Sequence, residues 1–234
     1  MSSPSKLDFA QRLIVWHKCH GRHDLPWRAT LDPWAVLVSE LMLQQTQVPR
    51  VVPRWEAFLA RFPDPAACAG APVGDVVRAW EGLGYNRRAV NLHRCATAVV
   101  ERHEGQLPAG LDALLALPGI GPYTARAVLV FAFEEDLGLV DTNAGRFVAR
   151  ALAGRPVPRR AEAQALADAA VPAGDGWRWG SAVFDLGALV CTKRMPRCDA
   201  CPLRDAGCAW AAAGWPDPDP VHGSAGISGP QSPF

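Results

Sequence analysis

Gly119 and Gly121 enclose a single residue, Ile120, between two apolar stretches of helical spacing, Leu111–Leu117 and Tyr123–Phe133. Two glycines this close permit backbone angles that other residues avoid, so the chain can reverse within a few residues and lay one helix against the next. Pro122 suits the first turn of the second helix. The amides of such a turn and helix start have no partner inside the helix and point outward. They form a site for an anion such as a phosphate, with no need of a basic side chain. A bare G-x-G is more often an ordinary connection between packed helices. The full string Leu117-Pro118-Gly119-Ile120-Gly121-Pro122-Tyr123-Thr124-Ala125, ahead of Val140-Asp141-Thr142-Asn143, favours the phosphate-holding hairpin.

The rest of the chain is also helical in pattern. Phe9, Leu13 and Trp16 recur at helical spacing and Gly21 ends that run. Further amphipathic stretches fall at Pro33–Thr46, Arg54–Phe62, Gly74–Trp80, Arg87–His103, Asn143–Leu152, Ala161–Ala170 and Gly180–Val190. No stretch alternates with period two, so the fold class is all-α. With 234 residues the chain suffices for one large domain or two small lobes. Residues 1–215 read as the helical domain. From Pro216 to Phe234, eleven of nineteen residues are Pro, Gly or Ser, a composition too poor in apolar surface to offset its ordering entropy. That segment is expected to be a disordered tail.

The start of the chain lacks a cleavable apolar run, and apolar stretches such as Ala127–Phe133 fall far short of the ~20 residues that span a bilayer. A cytoplasmic protein is the expectation. The net charge is +1, which leaves room for nucleic acid because a footprint needs only a local basic surface. Only Lys6, Lys18 and Lys193 are lysines; the other basic residues are arginines.

In a reducing compartment, seven cysteines are thiols or metal ligands rather than disulfides. Cys19, Cys68 and Cys95 are scattered and read as core residues. Cys191, Cys198, Cys201 and Cys208 form C-x6-C-x2-C-x6-C within 191–208. Zinc is the generic occupant of such a set, but its usual signature is two C-x2-C pairs. One C-x2-C flanked by wide spacings better suits a 4Fe-4S cluster on four cysteines. Lys193, Arg194, Arg197 and Arg204 decorate the loop, either as a solvated surface or as a phosphate-contacting face.

Two carboxylates stand out. Glu40 lies in the apolar run Val36–Leu43, where burial would raise its pKa and suit it to general-acid work, although most glutamates face solvent. Asp141 follows the apolar Leu137–Val140 and precedes a helix, the position of an N-cap. The helix dipole is expected to keep it ionised there.

Hairpin, V-D-x-N and cysteine loop together resemble the endonuclease III (helix-hairpin-helix) superfamily of base-excision DNA glycosylases, and within it the mismatch adenine glycosylases. Further matches are Leu25-Pro26-Trp27, the string Ser39-Glu40-Leu41-Met42-Leu43-Gln44-Gln45-Thr46-Gln47-Val48, Gly82-Leu83-Gly84-Tyr85 and Phe184-Asp185-Leu186-Gly187-Ala188. The resemblance covers roughly Phe9 to Trp210. It implies a two-lobed helical fold with DNA in the cleft, acting as a monomer on duplexes that carry a mismatch or an oxidised base. It implies hydrolytic removal of adenine opposite 8-oxoguanine or guanine. By motif position, Glu40 protonates the adenine at N7, Asp141 stabilises or traps the sugar cation, and Tyr123 and Asn143 support it. Such a division of labour mirrors the paired carboxylates of glycoside hydrolases. Gln44, Gln45 and Tyr85 sit at the mismatch, and Gly119 and Gly121 hold the DNA backbone. Strand-cutting relatives carry a lysine at the position of Tyr123, so no efficient lyase activity is expected.

Several features depart from the family pattern. The last cysteine spacing is x6 where x5 is usual. Asn86-Arg87-Arg88 follows Tyr85 in place of a second Tyr. Thr142 follows Asp141 where adenine glycosylases carry Gly. The last two lean toward thymine or uracil glycosylases acting at T:G and U:G mismatches. Nothing after Pro216 resembles the C-terminal domain that reads 8-oxoguanine. A third reading is a non-catalytic DNA-binding iron–sulfur protein; the presence of both Glu40 and Asp141 argues against it.

Overall fold

The structure, a computed structural model, describes residues 6–157 and 159–214. The tail expected from Pro216 onward lies outside the described residues. Among those described there is no strand, and the class is all-α, as expected. None of their helices is long and apolar enough to cross a membrane. The chain divides into two compact units, His23–Glu134 and the two chain ends Met1–Arg22 with Glu135–Phe234.

The His23–Glu134 unit is built around α2 (Pro33–Leu43). Asp32 caps it by accepting from the Trp34 amide at 3.0 Å, and Pro33 supplies a preset first turn. Every residue from Trp34 to Met42 is buried. A helix that is apolar all round belongs in the middle of its unit, and α2 packs against α3 (Val48–Arg61), α6 (Arg87–His103) and α8 (Pro122–Phe133). Trp34 and Trp55 bury their rings and still place their N–H groups, on the carbonyls of Phe62 at 3.0 Å and Ala35 at 2.8 Å. Short helices α4 (Pro65–Gly70), α5 (Val73–Ala79) and α7 (Leu111–Leu115) complete the unit.

The sequence pattern starts α3 at Arg54, but the helix begins six residues earlier, at Val48. Pro49 sits in its first turn, where its missing N–H costs nothing. Pro53 removes one intrahelical bond. The stripe Val51, Trp55, Phe58, buried at helical spacing, holds the segment helical regardless.

The unit of chain ends is organised on α11 (Gly176–Leu189), against which α1 (Lys6–His20) and α9 (Thr142–Phe147) pack. Phe9, Phe147 and Trp179 form an aromatic cluster with centroids 6.1–6.3 Å apart. Asp185 is fully buried and accepts from His17 Nε2 at 3.1 Å, the Arg22 amide at 2.8 Å and Arg22 Nε at 2.7 Å. A buried carboxylate is tolerable only with such partners, and here they tie the first helix to the penultimate one. The expected helix Asn143–Leu152 is two pieces: α9 gives way to a π-helical turn, Val148–Ala153. α10 (Arg160–Ala170) and α12 (Ala209–Ala212) finish the unit.

Cys68 and Cys95 are core residues as expected, and burial pushes both thiols up to about 12. Cys19 is not; it is exposed near the end of α1.

Candidate active site

The His23–Glu134 unit carries Glu40, Gln44, Gln45, Tyr85, Gly119, Gly121 and Tyr123. Glu40 is 7% exposed, so the apolar run around it places it inside rather than at a helix edge. Tyr123 occupies the first turn of α8, the helix that packs on α2. Between α7 and α8 the chain makes the expected hairpin. Gly119 has φ +78°, and a Cβ there would stand 2.6 Å from Cβ of Asn91 on α6, so both the angle and the packing require glycine. Nothing lies within 4 Å of where a Gly121 side chain would be, which leaves the outer face of the turn open. Helix α8 begins without a side-chain cap. Its N-terminal end therefore offers dipole and amides to an anion.

Beyond α2 the backbone leaves the helix at Gln44, with ψ 112°. Gln45 and Tyr85 follow in two separate turns and both face solvent, Tyr85 at 64% exposure.

The unit of chain ends carries Asp141, Asn143 and the four clustered cysteines. Asp141 is the N-cap of α9 and accepts from the Ala144 amide at 2.7 Å. Its pKa is shifted upward. Burial lifts the carboxyl above its ordinary value; the amides of Ala144 and Asn143 and the charges of Arg146 and Arg22 pull it back only in part. Desolvation is the largest of these influences.

Asn143 is gripped by Arg146, whose Nη2 donates to Asn143 Oδ1 at 2.8 Å. The same guanidinium donates to the carbonyls of Gly187 at 2.5 Å and Cys191 at 2.6 Å. One side chain thus joins the start of α9 to the end of α11 and the first clustered cysteine. Gly187 lets these backbones approach; a Cβ there would lie 3.0 Å from Cβ of Asn143.

Cys191, Cys198, Cys201 and Cys208 line one cavity, closed on other sides by Phe147, Leu186, Leu203 and Trp210. Among the described residues, no group of three or more His, Cys, Asp or Glu is arranged to hold a metal ion. Burial pushes the Cys201 thiol up to about 11 and raises Cys198 and Cys208 as well, and each neighbouring thiol opposes ionisation of the others. Arg150, from the π-helical turn, lies over the Trp210 ring at 4.3 Å and donates to Cys191 Sγ at 3.7 Å and to the carbonyls of Thr192 and Lys193 at 2.7 and 2.9 Å. Two of the basic residues on the loop are spent locally: Arg197 donates to the Leu189 carbonyl and Arg204 pairs with Asp199.

Arg88, Arg146 and Arg150 escape a reading of the sequence that looks for carboxylates, glycines and cysteines. A signal for Arg88 was there. It shares the apolar stripe of α6 with Leu92, Cys95 and Val99, so a charged residue stands in core register.

The described residues thus form an all-helical chain with a glycine hairpin, a buried glutamate and an aspartate N-cap. The chain belongs to the HhH-GPD superfamily of base excision DNA repair proteins, whose family model matches residues 38–172. It is 45% identical over 215 residues to an adenine DNA glycosylase of Mycobacterium tuberculosis (strain ATCC 25618 / H37Rv), which covers 88% of this chain and 69% of that protein. It is 36% identical over 209 residues to a thymine/uracil-DNA glycosylase of Pyrobaculum aerophilum, covering 86% of this chain and 91% of that one. A solved thermostable thymine-DNA glycosylase has the same fold, with a TM-score of 0.81 at 26% identity over 89% of this chain and 97% of that chain.

Proposed function

We propose that this chain is an adenine DNA glycosylase that hydrolyses the bond between adenine and deoxyribose where the adenine stands opposite 8-oxoguanine or guanine. The observation that carries the chemistry is the pair of carboxylates in two different environments. Glu40 is enclosed on an apolar helix, and Asp141 is fixed at a helix start by amides and near two arginines. Breaking the base–sugar bond sends its electron pair into the base, which is a poor leaving group until protonated. Glu40 gives that proton to N7. The sugar is left as an oxocarbenium-like cation, and ionised Asp141 faces it or traps it until water adds. Asn143, held by Arg146, and Tyr123 steady the sugar side.

The target base must leave the stack, at a cost of a few kcal/mol. Gln44, Gln45 and Tyr85 act at the mismatch, with the Tyr85 ring filling or wedging the stack. The hairpin with Gly119 and Gly121 takes a phosphate of the backbone and positions the duplex without reading sequence. Tyr123 stands where a Schiff-base lysine would be required, and no lysine occurs between Lys18 and Lys193. The product is an intact strand with an abasic site.

Cys191, Cys198, Cys201 and Cys208 would hold a 4Fe-4S cluster. In support, four thiols line one partly apolar cavity instead of converging on a point, and hydrogen-bond donors reach their sulfurs: Arg150 on Cys191, the Leu203 amide on Cys201, the Trp210 and Ala211 amides on Cys208. Such donors stabilise thiolate ligands. When bound, the cluster would supply a four-point cross-link of the 191–208 loop. Anaerobically purified protein is expected to be brown with iron and sulfide; colourless protein with stoichiometric zinc would refute it.

Thr142 after Asp141, together with the Pyrobaculum aerophilum relative, favours a second reading: removal of thymine or uracil opposite guanine. Duplexes with A:8-oxoguanine, A:G, T:G and U:G, treated with alkali after incubation, decide between the two. Strand breaks at adenine, and only after alkali, are expected. Breaks at T:G and U:G alone would overturn the adenine assignment.

A further inference from the structure

Arg88 is 6% exposed, and the four N–H groups on its two terminal nitrogens are shared among six acceptors. Nη1 reaches the carbonyls of Leu41, Met42 and Gln44 at 2.8, 2.9 and 2.6 Å, which are the open end of α2 and the turn beyond it. Nη2 reaches Thr46 Oγ1 at 3.1 Å and the carbonyls of Leu83 and Gly84 at 3.1 and 3.0 Å. Thr46 Oγ1 in turn lies 3.4 Å from the Leu83 carbonyl. Two turns that are distant in sequence are thereby fastened to one planar cation. The acceptors are carbonyls and a hydroxyl rather than carboxylates, and the negative end of the α2 dipole supplies the compensating charge.

Each fastened turn carries a residue in the left-handed region. Among the described residues, four non-glycine residues have positive φ: Gln45 at 55°, Tyr85 at 48°, Glu104 at 53° and Glu134 at 57°. Glu104 and Glu134 are C-caps of α6 and α8, where this angle is routine. Gln45 and Tyr85 are not helix caps. Backbone strain of this kind persists only where surrounding contacts over-determine it, and here Arg88 bonds the Gln44 carbonyl and the Thr46 hydroxyl on the two sides of Gln45 and the Leu83 and Gly84 carbonyls just before Tyr85. Its guanidinium also lies 5.6 Å from the centroid of the Tyr85 ring and 5.6 Å from that of Trp80. The exposed ring is held on its inner face while its outer face stays free.

We infer that Arg88 is a positioning residue for base extrusion: it holds the Gln45 and Tyr85 turns in the strained shape that presents both side chains to the mismatch. This rests on the assignment of Gln45 and Tyr85 to the mismatch. Arg88 touches no reacting atom. It sets the geometry of the wedge before DNA arrives, so extrusion does not have to order two loops. Lysine cannot replace it, because three donors on one nitrogen cannot serve two turns that a planar fork spans.

The test compares R88K, T46V, Y85A and Q45A with wild type. The readouts are far-UV circular dichroism, affinity for matched duplex, fluorescence of 2-aminopurine in place of the target adenine, and single-turnover excision. Excision is measured on an A:G duplex and on one with an abasic site opposite the adenine, where the target is already unstacked. In R88K, excision at A:G is expected to fall by about tenfold or more, with a matching loss of 2-aminopurine signal and matched-duplex affinity within about twofold. The deficit is expected to shrink to under about threefold on the pre-opened duplex. T46V, which keeps the guanidinium and removes one acceptor, is expected to lose about two- to threefold in the 2-aminopurine signal. Equal deficits for R88K on both duplexes, or wild-type 2-aminopurine signals in both R88K and T46V, would overturn the role of Arg88 while Y85A and Q45A still weaken extrusion. Wild-type extrusion by Y85A and Q45A would instead overturn the assignment of the wedge, and the role of Arg88 with it.

Discussion

The two units hold their functional residues with the same device, an arginine fork on backbone carbonyls, but they put it to different uses. In the His23–Glu134 unit, Arg88 fastens two turns to an apolar core that is already complete around α2. In the unit of chain ends, Arg146 and Arg150 fasten a loop of four cysteines that has little core of its own; only Leu203, Ala206 and Trp210 between 191 and 214 are buried among its hydrophobic residues. The first unit therefore shapes its turns on a finished scaffold. In the second, the cysteine loop, unlike the core around α11, depends on polar ties and on whatever the cysteines hold.

The largest effect that would sharpen this contrast is at Asp141. D141N is expected to lower single-turnover excision by at least about a hundredfold and to keep mismatch affinity. The carboxyl is raised in the folded protein, so the folded state holds its proton more tightly than the unfolded one. Stability from this group is present below the unfolded pKa and lost as pH rises toward the folded value. Asparagine caps a helix as well as aspartate does. D141N should therefore melt at a higher temperature than wild type at neutral pH, with the gain fading in acid. In the wild type, excision should fall on acidification at a pH above the ordinary carboxylate range, as Asp141 takes up its proton. Full activity in D141N removes Asp141 from the mechanism.

Next comes Glu40. E40Q is expected to lose about a hundredfold in the excision rate with unchanged affinity for mismatched duplex, because it removes a proton donor and leaves the shape. A smaller rate loss than for R88K would shift the weight of the reaction from proton transfer to base extrusion.

R146K is expected to lose about tenfold in excision rate and to raise hydrogen exchange of the Gly187–Lys193 amides, since lysine cannot bridge Asn143, Gly187 and Cys191 together. Unchanged exchange there would mean that the cysteine loop is held without the arginine, and the contrast between the units would collapse.

The smallest effect is at Gly187. G187A places a methyl against Asn143 and is expected to cost about 1–3 kcal/mol in a denaturant titration, with a proportionate fall in activity. A neutral outcome would show that α9 can give way without loss.

Legibility followed the range of the interactions. Helix α6 reads from the sequence with both ends correct, Arg87–His103, because Glu104 and Gly105 stop a long amphipathic run locally. The hairpin and the Asp141 cap are local for the same reason. The start of α3 was hidden by Pro49 and Pro53, which read as breakers until the buried faces of Val51 and Trp55 are known. The π-helical turn at Val148–Ala153 leaves no periodic mark in six residues, and α4 is too short to show one.

By itself, the sequence determined the helical class, the glycine hairpin, the aspartate at a helix start and the gathering of four cysteines in one loop. All of these are set by neighbours within a few residues. Tertiary structure alone decided that Glu40 is enclosed, that Asp141 is lifted rather than depressed, and that Arg88 and Arg146 each join segments about forty residues apart. Burial and long-range hydrogen bonds depend on which distant surfaces meet, and no local pattern records that.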